Sequence, residues 1–192
     1  MSDGKAVKKA LRQKFSAARK SLSMVERMVL NGSVCSAIAA LKEFAEADLL
    51  IAYASDGIEA DVRGIIELAL QNGKSVALPR YNPERKLYEL VLITDFLRDT
   101  APGKYGLPEP HKDLPAATVG AKSLWLIPAV AFDKNGTRLG RGGGFYDRML
   151  EGAPGIRVGV FYQCQYSDEA LPCEEHDQKL TMAVTEKNVY RF

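Results

Sequence analysis

The stretch that decides the fold is IPAVAFDKNGTRLGRGGGFYDRML, residues 127–150. An apolar run leads into this stretch and stops at Pro128. The last six residues of the stretch, 145–150, have the spacing of the first turns of a helix. Four glycines lie within five positions between these ends, at Gly140, Gly142, Gly143 and Gly144. The sequence therefore predicts a strand, a glycine-rich loop and a helix in succession.

The glycine loop has the composition of an anion site. Glycine loses much backbone entropy on folding, so a cluster of glycines indicates that a ligand approaches the main chain closely. Successive N–H groups at a helix N-terminus form a partly positive concavity. Arg138 and Arg141 add planar forks that match phosphate oxygens, and Asp147 adds a hard oxygen ligand. We interpret the loop as a site for polyphosphate and a divalent cation; the alternative is a glycine turn packed tightly under a helix.

Two named phosphate-binding motifs do not fit these letters. A Walker loop ends in Gly-Lys-Ser/Thr, whereas Gly144 is followed by Phe145. The dinucleotide fingerprint G-x-G-x-x-G, if it begins at Gly140, requires its last glycine at position 145, which is also occupied by Phe145. The loop is therefore of another kind.

Composition bounds the fold and the class of partner. The chain has 192 residues, of which 46% are hydrophobic, and we expect one domain spanning residues 1–192. With 26 basic and 24 acidic side chains, the formal net charge is only +2. No global field draws the chain to nucleic acid or to a membrane surface, so any anion preference must be local.

Cysteine and histidine content exclude several site types. The cysteines Cys35, Cys164 and Cys173 lack C-x-x-C spacing, which argues against a disulfide scaffold or a zinc knuckle and predicts buried or idle thiols. Only two histidines, His111 and His176, are present, so a multi-histidine metal site is excluded. No apolar stretch approaches the ~20 residues of a membrane helix, and no signal-peptide core follows the N-terminus. We expect a cytoplasmic protein.

The N-terminal region predicts two helices. Apolar residues recur at helical spacing over residues 5–21, and this segment is rich in Lys and Arg. Lys8 and Arg12, one turn apart, are candidates to hold an anionic ligand. A solvated basic face is the alternative, and a nucleic-acid arm is a further one. Ser23 opens a capping box for a second helix that we expect to run to about residue 44.

The remainder alternates strands and helices. A periodic segment at 62–72, closed by Gly73, predicts another helix between the first two strands, which therefore form a parallel pair with a right-handed crossover. We predict a three-layer α/β/α fold, Rossmann-like, with a mainly parallel sheet and the site at the C-terminal edge of its strands. The predicted strands are 49–54, 75–78, 87–93, 124–127, 157–161 and 182–185.

Three further features are candidate site residues. Glu59 follows the first strand, at the edge where open α/β sheets bind ligands, whereas nearby Asp61 is expected to cap the next helix. Tyr105 lies in a Pro/Gly-rich loop at 95–118, and suits either stacking on a flat heterocycle or anchoring the loop. Asp177 is a candidate to join Asp147 around a cation, or else a solvated acid at a loop tip.

Residues 131–133 and 136–148 together resemble the signature of the 5-formyltetrahydrofolate cyclo-ligase family, also called methenyltetrahydrofolate synthetases. The similarity extends over nearly the whole chain, including a K-x-x-x-R at Lys8–Arg12 and GKYGLPEP at 103–110. Some family members carry a lysine at the position of Gly143. This chain therefore lacks the positive charge that the lysine provides there. The resemblance implies that Lys8, Arg138 or Arg141 replaces it.

The resemblance also implies the roles of individual residues. Arg141 is the implied catalytic residue, Asp147 and Asp177 the implied magnesium ligands. The implied ATP-binding residues are Lys8, Lys9, Ala10, Leu11, Arg12, Arg138, Leu139, Gly140, Arg141, Gly142, Gly143, Gly144, Phe145 and Tyr146. The implied folate-binding residues are Ala54, Glu59, Tyr105, Arg141, Gly142, Gly143, Gly144 and Phe145.

The implied activity is ATP- and Mg²⁺-dependent closure of 5-formyltetrahydrofolate to 5,10-methenyltetrahydrofolate, through a phosphorylated formyl group, with ADP and phosphate released. Such chemistry needs positioning and charge stabilisation rather than a protein nucleophile. No nucleic-acid, membrane or obligate protein partner is implied. The rival hypotheses are a non-enzymatic nucleotide-binding domain and a nucleic-acid binder that uses the first helix.

Overall fold

The computed structural model describes residues 3–192, with a seven-stranded sheet at its centre. The helices are α1 Asp3–Lys20, α2 Met24–Ala39, α3 Lys42–Glu46, α4 Arg63–Gln71 and α5 Phe145–Leu150. The strands are β1 Leu49–Ile51, β2 Ser75–Asn82, β3 Leu87–Ile93, β4 Thr100–Pro102, β5 Pro108–Pro110, β6 Ser123–Pro128, β7 Ala131–Asp133, β8 Arg138–Leu139, β9 Ile156–Val160, β10 Tyr166–Ser167, β11 Met182–Val184 and β12 Val189–Arg191.

The central sheet is mainly parallel, as predicted. Its order is β12-β11-β9-β6-β1-β2-β3. The five inner strands from β11 to β2 are parallel to one another, and the two edge strands β12 and β3 are antiparallel to them. The chain leaves β1 towards β2 on one side, whereas it leaves β6 towards β9 on the other. The boundary between β1 and β6 is therefore the topological switch point, where open α/β sheets form a ligand crevice.

Side chains alternate between two cores. From β1, Leu50 packs into the core under α2, α3 and α4, whereas Ile51 packs into the core on the opposite face. That second face is covered by α5 and by a small sheet of β10, β7 and β8. The short β1 is buried on both sides, which is why it reads as a continuous apolar run.

The predicted helix at 23–44 is wrong in one respect, because it is broken. Ser23 and Glu26 form the expected capping box, but α2 ends at Ala39. Leu41 adopts an extended conformation with φ −70° and ψ 134°, and α3 starts after it. The break directs the buried side chains of Leu41 and Phe44 into the same core.

Four strand predictions also need correction, the first being the strand at 49–54, which already ends at Ile51. The second strand does not end before Pro79 but continues to Asn82, since β1 no longer flanks it there and proline is tolerated at such an edge. The strand at 182–185 is not the last, because antiparallel β12 follows it. The loop at 95–118 contains the hairpin of β4 and β5. Proline-containing strands of three residues show no periodicity that a sequence pattern detects.

No helix among residues 3–192 is long and apolar enough to cross a membrane. The three cysteines are unpaired, and Cys35 is half-buried. Cys164 and Cys173 are exposed, so these two thiols are not core residues.

Candidate functional site

A cavity of about 780 Å³ opens at the topological switch point. Ala54, just beyond β1, and Pro128, at the end of β6, form its floor. Its walls come from α1, the glycine loop at 140–144, the start of α5, the β4–β5 hairpin and the segment at 174–177. Segments far apart in sequence thus share one site at the C-terminal edge of the strands.

Most of the predicted site residues line this cavity. They are Lys8, Arg12, Ala54, Glu59, Tyr105, Arg138, Leu139, Gly140, Arg141, Gly142, Gly143, Gly144, Phe145, Tyr146, Asp147 and Asp177. Lys9, Ala10 and Leu11 do not line it. Positions 8 and 12 are one helical turn apart and share a face, so the three residues between them point elsewhere, and Leu11 packs on another apolar cluster. The ATP-binding role that the resemblance implies for these three residues stays a prediction, which the lining of this cavity does not support.

The glycine loop presents unpaired backbone donors. Within residues 3–192, the N–H groups of residues 141–144 donate no hydrogen bond to any protein atom. Gly144 precedes α5 with φ +63°, a left-handed conformation that glycine adopts without strain. At Gly143, an added Cβ would lie 2.6 Å from the Phe145 ring. The loop therefore holds four consecutive free amides beside a close-packed aromatic ring.

The predicted phosphate-binding cations are paired with carboxylates. Arg138 Nη2 donates to Asp147 Oδ1, and Lys8 Nζ lies 2.9 Å from Glu174 Oε1 and 3.0 Å from Asp177 Oδ2. Desolvation lowers the pKa of Lys8, but its hydrogen bonds to these two acids outweigh that effect and raise the pKa. An arriving polyphosphate would have to share these cations with the carboxylates.

Arg12 is the exception. Its Nε donates to the Gly140 carbonyl at 2.8 Å, and it forms no ion pair within residues 3–192. Its guanidinium also lies against Gly142, where an added Cβ would be 3.5 Å from Arg12 Cζ. Helix α1 is therefore tied directly to the glycine loop through this side chain.

Arg138 is an unusually buried guanidinium. Its side chain is 3% exposed, and its Nε has no hydrogen-bond partner in the part of the chain that is described. Burial lowers the pKa of Arg138, whereas Asp147 opposes that shift. An unpartnered buried donor of this kind is costly. Arg138 Nη1 also donates to no protein atom within residues 3–192 and lies beside Gly140 of the cavity lining, so Nη1 is the donor left for a ligand.

Glu59 is buried at the wall of the cavity and Arg141 reaches it from the glycine loop. Arg141 Nη2 lies 2.8 Å from Glu59 Oε1 and also bonds to Asp56. Burial raises the pKa of Glu59, and the positive charge of Arg141 opposes this rise. Glu59 Oε2 carries no hydrogen bond among residues 3–192, so this oxygen is an acceptor for a ligand with N–H groups.

An aromatic wall faces this carboxylate. The rings of Tyr88 and Phe145 meet edge to face with centroids 5.1 Å apart. Tyr105 is 70% exposed and has φ +61°, an uncommon conformation for a residue other than glycine. Glu109 accepts from the N–H groups of Lys104 and Tyr81 at 3.0 Å each and thereby fixes this turn. The wall offers flat apolar surface to a planar heterocycle.

The two acids expected to hold a metal are neighbours in space. Asp147 Oδ1 accepts a 3.1 Å hydrogen bond from the N–H of Gln178, the residue after Asp177. Each carboxylate keeps one oxygen that no described hydrogen bond uses. No group of three or more His, Cys, Asp or Glu residues within 3–192 is arranged to hold a metal ion. Two carboxylates fit a hard cation whose other ligands are phosphate oxygens and water.

Three residues of the site were not predicted: Tyr88, which lines the cavity, and Asp56 and Arg19, which lie behind its lining against Arg141 and Glu59. Nothing in the sequence marks Tyr88 as a site residue, because the hydrophobic alternation of β3 is imperfect. Asp56 lies in a Ser-Asp-Gly sequence that is typical of a turn. Arg19 lies in the basic run for which a solvated face is the alternative, although its spacing of eleven residues from Lys8 is three helical turns and places it on the same face. Its side chain is 6% exposed and lies behind Glu59. The α1 charges are therefore divided between enclosed residues and exposed ones such as Lys9 and Lys20.

Comparison with known proteins gives one consistent family. A family model described as "5-formyltetrahydrofolate cyclo-ligase family" matches residues 4–186. The 5-formyltetrahydrofolate cyclo-ligase of Haemophilus influenzae is 32% identical over 176 residues, which cover 88% of this chain and 92% of that protein. The one from Mycolicibacterium smegmatis is 35% identical over 141 residues, covering 71% and 72%.

A solved structure has the same fold. The NMR structure of Aquifex aeolicus 5,10-methenyltetrahydrofolate synthetase superposes with a TM-score of 0.84 at 32% identity, and the match covers 96% of this chain and 92% of that one. The chain order and sheet described above are thus shared with a relative of related sequence.

Proposed function

The chain belongs to the 5-formyltetrahydrofolate cyclo-ligase family, and we propose that it uses ATP and Mg²⁺ to close 5-formyltetrahydrofolate into 5,10-methenyltetrahydrofolate, with ADP and phosphate as the other products. The observation that carries the proposal is the run of four free amides at residues 141–144, in the same cavity as Glu59 and an aromatic wall. One end of the cavity suits a polyphosphate, and the other suits a pterin.

At the polyphosphate end, the free amide N–H groups can donate to phosphate oxygens without any rearrangement of protein hydrogen bonds. Arg12 and Arg138 each have N–H groups left over for the same oxygens. Asp147 and Asp177 would hold Mg²⁺, which supplies charge neutralisation on the phosphate oxygens when bound. Lys8 bridges to Asp177 and so lies within reach of the same anion.

At the folate end, Glu59 Oε2 is an acceptor for the N–H groups on the pyrimidine edge of a pterin. Phe145, Tyr88 and Tyr105 supply ring faces for the flat heterocycle. Ala54 at the floor leaves room for the substrate. The substrate thereby lies against the loop that binds the triphosphate, so the two reactants meet in one enclosed space.

The reaction follows from this proximity. The formyl oxygen on N5 attacks the γ-phosphorus of ATP, the bond from that phosphorus to the bridging oxygen breaks, and ADP leaves. N10 then attacks the activated formyl carbon, loses its proton, and the C–O bond breaks to release phosphate. The free amides and the guanidinium groups of Arg12, Arg138 and Arg141 would stabilise the negative charge that develops on the phosphoryl oxygens, with Arg141 turning to the phosphates from Glu59.

A coupled assay tests the proposal. The protein is incubated with 5-formyltetrahydrofolate and Mg-ATP, and methenyl product and ADP are followed together. We expect one ADP for each methenyl group formed. Nucleotide binding without folate-dependent ADP release would instead favour a non-enzymatic nucleotide-binding domain. Salt-sensitive binding of RNA, with no turnover, would favour the nucleic-acid hypothesis.

A further inference from the structure

Arg19 is a buried guanidinium near the end of α1, outside the cavity lining. Its Nη1 lies 3.9 Å from Glu59 Oε1, and its side chain is only 6% exposed. Its Nε is buried and has no hydrogen-bond partner within residues 3–192. A buried charge with so few hydrogen bonds is costly unless it compensates another charge. Glu59 is the one carboxylate that forms an ion pair with it in the described part of the chain.

Glu59 has two guanidinium partners of different kinds. Arg141 is half-exposed and belongs to the loop with free amides, whereas Arg19 belongs to a long helix and is enclosed. The titratable or charged groups that face Glu59 are Arg19 from α1, Tyr53 after β1, Asp56 in its own loop, Arg141 from the glycine loop, Tyr146 from α5 and Tyr162 after β9. Of these groups, only the two arginines favour the ionised carboxylate.

We propose that Arg19 is the permanent counter-charge of Glu59, a positioning residue that keeps this carboxylate ionised and in place when Arg141 turns to the phosphates. The inference rests on the proposed function, because that function assigns Arg141 to the triphosphate. Arg141 can move since its side chain is half-exposed, whereas Arg19 is fixed by packing. Without Arg19, ATP binding would leave Glu59 buried beside no cation and therefore prone to take up a proton.

The direct test is a carboxyl-carbon NMR titration of the ligand-free protein with labelled glutamate, in which Glu59→Gln assigns the signal. We expect Arg19→Met to raise the pKa of Glu59 by about 1 or more, because a cation within about 4–6 Å holds such a pKa down. Arg19→Lys should bring the pKa most of the way back to the wild-type value. The effect of Arg19→Met should be larger in an Arg141→Ala background, which mimics the departure of Arg141. Lys20→Met, which removes an exposed cation from the same helix, is the matched control.

The functional readout is 5-formyltetrahydrofolate affinity as a function of pH. Arg19→Met should move the acid limb to higher pH. If the pKa of Glu59 rises by about 1, the affinity at pH values below the wild-type pKa should fall roughly tenfold. The KM for ATP and the kcat at alkaline pH should stay close to wild type. Arg19→Gln serves the same purpose if the methionine variant does not fold.

Two results would overturn the proposal: a Glu59 titration that is the same in wild type and Arg19→Met, or a change in the titration that Lys20→Met reproduces. A lower thermal stability with an unchanged titration would also reduce Arg19 to a packing residue. If the wild-type protein fails to bind the folate at all, the proposed function fails, yet the ligand-free titration still decides the role of Arg19.

Discussion

Single residues in the cavity have separable tasks, and Arg141 is the first to test. Arg141→Ala removes the guanidinium proposed to stabilise charge on the transferring phosphoryl group. We expect the turnover rate to fall by about 10²–10³-fold, the size of effect seen for losing one preorganised donor. Folding should persist, because Arg141 is half-exposed and Glu59 retains Arg19. Steady-state kinetics and thermal unfolding check both statements, with Arg141→Lys as a variant that keeps the charge but loses the fork. Full turnover in Arg141→Ala would remove this residue from the mechanism.

Asp147 has two proposed tasks that a pair of variants can separate. Asp147→Asn should weaken the dependence on Mg²⁺ and also destabilise the protein by about 3–5 kcal/mol, because it leaves the buried Arg138 without its carboxylate. Asp177→Asn should weaken the Mg²⁺ dependence with a smaller loss of stability, because its partner Lys8 is less enclosed. Metal titrations of activity and urea unfolding measure the two effects. An unchanged metal titration in both variants would contradict the ligand roles.

Among the structural elements, the β4–β5 hairpin depends on one buried acid. Asp99 Oδ2 accepts from the N–H groups of Thr94 at 2.7 Å and Asp95 at 2.9 Å, and the Asp99 carbonyl accepts from His111 N–H. These bonds attach the hairpin that carries Tyr105 to the end of β3. Asp99→Asn should lower the free energy of unfolding at pH 7 by roughly 2 kcal/mol, as expected for hydrogen bonds to a charged group.

The stabilisation by Asp99 should depend on pH in a definite direction. Desolvation raises the pKa of Asp99, but hydrogen bonds from Arg98 and Thr94 outweigh it and hold the pKa well below its usual value. The contribution of Asp99 is therefore full above the pKa of an unfolded aspartate, about 4, and is lost as the pH falls through the folded pKa. Urea unfolding of wild type and Asp99→Asn should converge at low pH. The exposed Asp113→Asn is the control, and a constant difference between wild type and Asp99→Asn at all pH values would contradict the assignment.

Helices and strands with a clear hydrophobic periodicity could be predicted from the sequence. The helix at α4 with its Gly73 terminator, and the buried strands β1, β6 and β9, follow from local pattern and length, as do the free glycine amides. The helix break at Leu41 and the continuation of β2 through Pro79 could not be predicted from local pattern. Packing into the shared core decides the first, and the end of the pairing with β1 decides the second. Neither influence is local in sequence.

Across the whole molecule, the site is made of segments that only the fold brings together. Residues 54–59, 105–109 and 174–177 reach one crevice because the sheet has its switch point between β1 and β6. The glycine loop is recognisable in the sequence by its letters. The pairing of Arg141 with Glu59, and of Lys8 with Asp177, is not, since residues 82 and 169 positions apart meet only in three dimensions.

The last prediction concerns this assembly. Lys8 and Arg12 connect α1 to the 174–177 segment and to the glycine loop, so Mg-ATP bound at the free amides should stabilise all three segments at once. At about 100 times the dissociation constant, linkage gives roughly 2.7 kcal/mol of added stability. Hydrogen exchange should therefore slow in α1 as well as at residues 140–150, while AMP, which lacks a polyphosphate, should protect neither. Protection confined to residues 140–150 would mean that α1 takes no part in holding the nucleotide, because a helix that binds the phosphates must exchange more slowly when they are present.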